Sequence, residues 1–128
     1  MRVVPVLALV AASLCAKPAA AADGASLYKD NCAACHRPTG QGIPGAFPAL
    51  AGSKFVQGDA KEPIGRVLHG RGGMPSFQDE LTDLQIATIL SYVRVSWGNK
   101  GKPINPTQVT ALRGGGKREN AKAVLQAH

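Results

Sequence analysis

The stretch Cys32-Ala33-Ala34-Cys35-His36 constrains this chain of 128 residues more than any other. Two cysteines three positions apart on a helix lie on one face, so both sulfurs can reach a single flat ligand. The imidazole of the following histidine would then lie over the centre of that ligand. This C-x-x-C-H spacing is typical of covalent haem c attachment, in which two thioethers anchor the porphyrin edge and the histidine binds iron. The pattern therefore predicts that Cys32, Cys35 and His36 bind one haem c.

A redox dithiol and half of a zinc site are two other interpretations of the same cysteines. A thioredoxin-like dithiol does not need the histidine and belongs in a βαβ setting, which this sequence lacks. A structural zinc needs four ligands. Besides the C-x-x-C-H residues, a chain without its leader and Cys15 would offer only His69 and His128. Haem attachment is therefore the favoured interpretation.

Residues 1–22 have the pattern of a secretory signal peptide. Arg2 precedes an apolar run, and the small residues Ala20 and Ala22 fit the A-x-A cleavage pattern. We therefore expect an exported chain that starts near Asp23. The apolar run is too short for a membrane span, and no later stretch approaches the required length of about twenty apolar residues, so no membrane span is predicted.

The charge of the chain limits its possible partners. Its formal net charge is +7, from 15 Lys and Arg against 8 Asp and Glu, and loss of two basic residues with the leader would leave +5. Two ionised haem propionates would reduce this further. Such a moderate excess suits steering towards an acidic face of a protein partner. The basic residues are scattered singly without interleaved aromatic residues, so we predict no nucleic-acid partner.

Local signals predict helices that are separated by loops rich in Gly and Pro. We expect helices over residues 24–34, 62–68 and about 82–97, and a short surface helix over 106–112. The third helix has the clearest start, because Thr82 and Gln85 fit a capping box. Residues 117–128 follow three glycines and are expected to be frayed or disordered.

Met74 lies in a loop that suits an iron ligand. Glycines precede it and Pro75 follows it, so the backbone can approach a ligand closely and then stiffen. A lone methionine more often fills a core, but this loop has no helical apolar stripe to fill. His69, five residues earlier, is the alternative sixth ligand, and an open or water-bound iron is a third possibility.

These features together resemble the single-haem class I cytochromes c over residues 23–99. The resemblance implies an all-α cytochrome c fold, with three to four helices and loops wrapped around one covalent haem. It implies His36 and Met74 as the axial iron ligands, and the carbonyl of Pro48 as acceptor of the His36 Nδ1 proton. Residues 91–99 further resemble cytochrome subunits of periplasmic dehydrogenases. The contributing residues are Gly24, Tyr28, Cys32, Cys35, His36, Pro48, Gly73, Met74, Pro75, Ile89 and Tyr92.

The resemblance also implies a function, namely a periplasmic single-electron carrier that is not itself an enzyme. A dehydrogenase or reductase would donate its electrons, and a periplasmic or membrane-bound oxidase or reductase would accept them. Two occupied axial positions would keep substrates from the iron, which argues against catalysis there. A relay subunit of a larger dehydrogenase and a haem enzyme with an exchangeable sixth ligand are the alternatives.

Two further expectations concern the division of the chain and the haem propionates. We expect a leader over 1–22, a cytochrome c domain over 23–99 and a partly flexible extension over 100–128. Guanidinium and hydroxyl groups suit the carboxylates of haem propionates. The candidates for that contact are Ser53, Lys54, Arg66 and Arg71.

Overall fold

The computed structural model describes residues 19–114, which form six helices and no β-strand. Four helices have eight residues or more, and two are single turns. In chain order they are α1 (Ala19–Asn31), α2 (Ala33–His36), α3 (Lys54–Gln57), α4 (Lys61–His69), α5 (Asp83–Val95) and α6 (Pro106–Arg113). The predicted all-α class is therefore confirmed.

Helices α1 and α5 cross at a glycine. A Cβ on Gly24 would lie 2.8 Å from Cβ of Tyr92, which is closer than packed atoms allow, and 3.1 Å from the carbonyl oxygen of Thr88. One turn later, the ring of Tyr28 lies 5.7 Å from that of Tyr92 and 5.0 Å from that of Trp97. The missing side chain of Gly24 thus lets the two helices approach until their aromatic residues pack together.

Helix α5 provides the centre of the core. Its predicted capping box is present, since the amide of Gln85 donates to Thr82 Oγ1 at 3.2 Å and the amide of Thr82 donates to Gln85 Oε1 at 2.9 Å. The helix ends at Val95, two residues before the predicted end at Trp97, which has a φ of +53°. The core comprises Tyr28, Val56, Ile64, Leu68, Leu81, Ile86, Ala87, Ile89, Leu90, Val93, Ile104 and Val109.

The first helix differs from the expected span of 24–34. It begins at Ala19, so Asp23 lies inside α1. Alanine is the strongest helix former, and the alanines before Asp23 extend the helix. At Cys32 the backbone turns to φ −126° and ψ −34°, and the new helix α2 starts. The predicted leader lies largely outside the described residues.

Helix α6 packs more deeply than the expected surface helix. Pro106 occupies its first turn, the Asn105 amide donates to Gln108 Oε1 at 2.8 Å, and Val109 is fully buried. The side-chain hydroxyl of Ser91 accepts from the Ile104 amide at 2.8 Å, which fastens the preceding segment to α5. Residues 117–128, expected to be disordered, lie outside the described residues. Across residues 19–114, no helix has the length and apolar character needed to cross a membrane.

Candidate haem site

Helix α2 places the C-x-x-C-H side chains together. Cys32 precedes its first residue and His36 is its last, and the His36 amide donates to the Cys32 carbonyl at 2.9 Å. His36 is buried, whereas Cys32 and Cys35 are partly buried and form no disulfide. One short turn therefore holds two free thiols beside a buried imidazole.

The imidazole of His36 has a fixed orientation. Its Nδ1 lies 2.9 Å from the carbonyl oxygen of Pro48. A carbonyl only accepts hydrogen bonds, so Nδ1 carries the proton and Nε2 has the free lone pair. Ile43 and Phe47 precede Pro48 and exchange two backbone hydrogen bonds of 2.8 Å, which fix the loop that presents this carbonyl. Nε2 is thus the nitrogen available to a metal.

Met74 lies at the end of a tight turn that is anchored to α4. The Arg71 amide donates to the Met74 carbonyl at 3.0 Å, and the Met74 amide donates back to Arg71 at 2.9 Å. Just beyond the turn, the Phe77 amide donates to the carbonyl of Val67 at 3.0 Å. These backbone bonds define the position of Met74 relative to the end of α4.

Two cavities, of about 200 Å³ and 410 Å³, meet at this site. The smaller cavity extends towards the core residues of α5, and the larger one extends past Cys35 and Phe77. Both are lined mainly by apolar side chains. The residues that line both are Cys32, His36, Pro48, Arg66 and Met74.

This set of donors fits a haem c. Haem iron in proteins is bound by an imidazole, alone or with a thioether on the other side, and both groups line these cavities. Two thiols at the same place suit attachment of the porphyrin edge, and apolar walls suit its faces. The chain thus offers each group that the C-x-x-C-H motif predicts for a bound haem.

The structure disfavours the two other interpretations of the cysteines. Burial, with the neighbouring Cys35 thiol adding to it, raises the pKa of the Cys32 thiol to about 11. A redox dithiol needs the opposite, a lowered pKa that yields the reactive thiolate. Between residues 19 and 114, no three His, Cys, Asp or Glu side chains are grouped to bind a metal ion.

The other candidate residues fall into two groups. His69, the alternative sixth ligand, is exposed at the end of α4 and does not line either cavity. Lys54, the first residue of α3, is also exposed and lines neither cavity. Ser53 lines the smaller cavity, Arg71 lines the larger one, and Arg66 lines both. The guanidinium of Arg66 also lies 5.0 Å above the ring of Phe55.

Local sequence patterns do not indicate three residues of structural importance. Gly42 and Gly70 pack against the loops that carry Pro48 and Met74. Asn99 bonds to the loop around residue 50. All three lay in stretches with turn signals, and only spatial neighbours distinguish them from other loop residues.

The region that carries this site is similar to known haem proteins. The family described as cytochrome c oxidase, cbb3-type, subunit III matches residues 19–93. Cytochrome c-552 of Thermus thermophilus is 38% identical over 115 residues, which cover 73% of this chain and 76% of that protein.

Two dehydrogenase subunits are also similar. The cytochrome c subunit of the quinone alcohol dehydrogenase of Gluconacetobacter polyoxogenes is 33% identical over 107 residues, or 73% of this chain. The fructose dehydrogenase cytochrome subunit of Gluconobacter japonicus is 35% identical over 111 residues, or 75% of this chain. The chain spans only 23% of the length of each of these subunits.

Proposed function

This chain belongs to the cytochrome c family, and we propose that its haem is bound by the residues that meet at the two cavities. The protein carries electrons through one covalently attached haem c. We assign the two thioether bonds to Cys32 and Cys35. His36 and Met74 are the axial ligands in this proposal, and Pro48 orients the imidazole.

One observation carries the assignment of the ligands. His36 and Met74 line the same two cavities, and the Nδ1 of His36 is occupied by Pro48 at 2.9 Å, so its Nε2 is the nitrogen left for iron. The hydrogen bond to Pro48 fixes the tautomer and ring orientation, and it raises the basicity of the ligand.

The haem iron, when bound, supplies a centre that gains and loses one electron. The thioether of Met74 is a soft ligand, so we expect a higher reduction potential than two imidazoles would give. His36 and Met74 would together hold the iron, and they would then keep substrates and oxygen from the metal. The same arrangement favours electron transfer over catalysis at the haem.

We place the protein in the periplasm, with redox proteins as partners and no nucleic acid. The predicted leader over residues 1–22 supports export. A dehydrogenase is the proposed donor, since two relatives are named as subunits of alcohol and fructose dehydrogenases. A periplasmic or membrane-bound oxidase or reductase is the proposed acceptor.

The same similarity favours a second candidate, an electron-relay subunit within a larger dehydrogenase. The match to cytochrome c-552 supports the free carrier instead, because this chain covers 76% of the length of that protein. Purification of the native protein separates the two candidates. A free carrier elutes alone at the size of one small chain, whereas a relay subunit elutes together with a dehydrogenase chain.

Visible spectra test the ligand assignment. Protein matured in cells with haem-attachment machinery should be red and should show the sulfur–iron charge-transfer band of a ferric haem with a methionine ligand. Met74→Ala should lose this band, bind added imidazole and have a lower potential. His69→Ala is the matched control and should keep all three properties of the wild type.

Three results would contradict the proposal. Colourless wild-type protein would exclude the haem site, and a red wild type without the band whose spectrum changes in His69→Ala but not in Met74→Ala would transfer the sixth position to His69. Spectra identical to that of the wild type in both variants would indicate an open iron, as in the alternative of a haem enzyme with an exchangeable ligand.

A further inference from the structure

Two glycines occupy equivalent positions on the two sides of the haem site. We propose that Gly42 and Gly70 are positioning residues. Each one fixes the position of a peptide bond that precedes a proline of the haem site. Gly42 acts on Pro48 and Gly70 acts on Met74. The inference rests on the proposed function, because it concerns the orientation of the two axial ligands.

Gly70 packs directly against the peptide between Met74 and Pro75. Its φ is +67°, and a Cβ there would lie 2.4 Å from the carbonyl oxygen of Met74 and 2.7 Å from the carbonyl carbon of Pro75. Its amide donates to the carbonyl of Arg66 at 2.8 Å, so Gly70 is itself fixed to the end of α4. The backbone of Met74 is therefore seated against a helix end with no space for a side chain between them.

Gly42 has the same relationship to Pro48. Its φ is +62°, and a Cβ there would lie 2.4 Å from the carbonyl oxygen of Phe47 and 2.7 Å from the carbonyl carbon of Pro48. Its amide donates to the His36 carbonyl at 2.9 Å. Gly42 thus connects the backbone of His36 to the peptide that presents the acceptor for the imidazole of the same histidine.

The two sites share one local arrangement. In each, a glycine with positive φ bonds to the carbonyl of a residue at a helix end, and a short turn closed by two backbone hydrogen bonds follows. The residue that closes the turn then precedes a proline. The pairs that close the turns are Ile43 with Phe47 and Arg71 with Met74.

The tips of the same two turns provide natural controls. Gly45 and Gly72 also have positive φ, at +77° and +56°, but a Cβ on either would meet nothing within 4 Å. Alanine at Gly45 or Gly72 therefore adds the strain of positive φ without a clash against the rest of the chain. Alanine at Gly42 or Gly70 adds the same strain and also displaces a backbone peptide.

Such a displacement should change the way in which Met74 and His36 bind the iron. The atoms that a new Cβ would meet at Gly42 and Gly70 are backbone atoms, which cannot rotate away as the end of a side chain can. Ligands must be positioned within about 0.5 Å of their productive geometry. A shift of the Met74 peptide should weaken the sulfur–iron bond, and a shift of Pro48 should weaken the hydrogen bond to His36.

The experiment compares four haem-loaded variants, Gly70→Ala with Gly72→Ala and Gly42→Ala with Gly45→Ala. Gly70→Ala should lose most of the sulfur–iron band, bind added imidazole about tenfold more tightly and have a lower potential. Gly42→Ala should keep the band but have a higher potential, because a weaker hydrogen bond makes His36 less basic. Both tip variants should keep the wild-type band and potential.

The outcomes separate this inference from the proposed function. A wild-type protein without the sulfur–iron band would refute the assignment of Met74. A wild type with the band, together with equal spectra for Gly70→Ala and Gly72→Ala, would overturn the inference and leave the ligand assignment intact. Equal reduction potentials for Gly42→Ala and Gly45→Ala would overturn the role proposed for Gly42 in orienting His36.

A second measurement applies if Gly70→Ala does not mature. If the chain itself builds the turn, the amides of Arg71 and Met74 should stay protected from hydrogen exchange in the haem-loaded Met74→Ala protein, because both bonds are made by the backbone. Loss of that protection in Met74→Ala would show that the iron bond, not Gly70, positions the turn, and would overturn the inference.

Discussion

Nε of Arg113 lies 2.6 Å from Oδ1 of Asp83, and both side chains are almost fully buried. Thr110 donates to the other carboxylate oxygen of Asp83 at 2.6 Å, and the guanidinium also donates to the Leu81 carbonyl at 2.8 Å. The pair joins the last turn of α6 to the first turn of α5, where a carboxylate also interacts favourably with the helix dipole. Helix α6 is thereby an integral part of the fold.

Replacing Arg113 should be strongly destabilising. Arg113→Met leaves the carboxylate of Asp83 buried without its cation, and we expect the free energy of unfolding to fall by about 3 kcal/mol. Denaturation of the haem-loaded protein by urea measures the loss. Lys102→Met, which changes an exposed basic residue, is the control and should have little effect. Equal stabilities for the two variants would show that the ion pair does not stabilise the contact between α5 and α6.

Asn99 links the end of α5 to the loop that follows Pro48. Its Oδ1 accepts from the Gly52 amide at 2.7 Å, and its Nδ2 donates to the carbonyls of Leu50 at 3.0 Å and Val93 at 2.8 Å. Asn99→Ala leaves these groups without their partner, so we expect the free energy of unfolding to fall by about 2 to 3 kcal/mol. Faster hydrogen exchange at the Gly52 amide should accompany the loss, and unchanged exchange there would contradict this role.

The pH dependence of stability should depend on Tyr28. The side chain is buried and donates to the Arg37 carbonyl at 2.7 Å, and burial raises the pKa of Tyr28 above its usual value of about 10. Above that pH the unfolded chain loses this proton while the folded protein retains it. The free energy of unfolding should therefore fall as the pH rises from about 10 towards the pKa of the folded state.

Tyr28→Phe tests this pH dependence. The variant should lose about 1 kcal/mol at neutral pH, because the hydrogen bond to Arg37 is gone. Above about pH 10, its free energy of unfolding should fall less steeply than that of the wild type. Urea denaturation of both proteins between about pH 8 and pH 11 measures the two slopes. Parallel curves would mean that Tyr28 titrates in the folded protein as it does in the unfolded chain.

Local sequence signals predicted those parts of the molecule that depend on neighbours in the chain. The capping box of Thr82 and Gln85 and the end of α4 before Gly70 are set by residues within one turn. The C-x-x-C-H motif is equally local, and it predicted which side chains meet at the cavities. The all-α class followed from the resemblance to the class I cytochromes c.

The features that were missed depend on residues far apart in the chain. The burial of α6 follows from the pairing of Arg113 with Asp83, thirty residues earlier, and no local pattern indicates that pair. The importance of Gly42 and Gly70 lies in what a Cβ would meet, which only the folded chain defines. Asn99 lies just beyond the predicted third helix, and its bonds to Gly52 and Leu50 span almost fifty residues, so no local pattern indicates them.

Arg66 should raise the reduction potential of the haem. It lines both cavities, and the ring of Phe55 lies 5.0 Å from its guanidinium. Of the four candidates for a propionate contact, it is the one that lines both cavities. A cation beside the haem stabilises the ferrous state, which carries one positive charge less than the ferric state. Arg66→Gln should therefore lower the midpoint potential by tens of millivolts, where about 59 mV corresponds to a tenfold change for a one-electron couple.

Lys54→Gln is the matched control for Arg66→Gln, because it removes the same charge from an exposed side chain that does not line the cavities. Its midpoint potential should stay close to that of the wild type, since water and salt screen exposed charges. Potentiometric titration of the three proteins at low and high salt measures both effects. The shift for Arg66→Gln should persist at high salt, because the guanidinium lies at the cavity walls. A shift of equal size for both variants, or one abolished by salt, would assign the effect to net charge instead of Arg66.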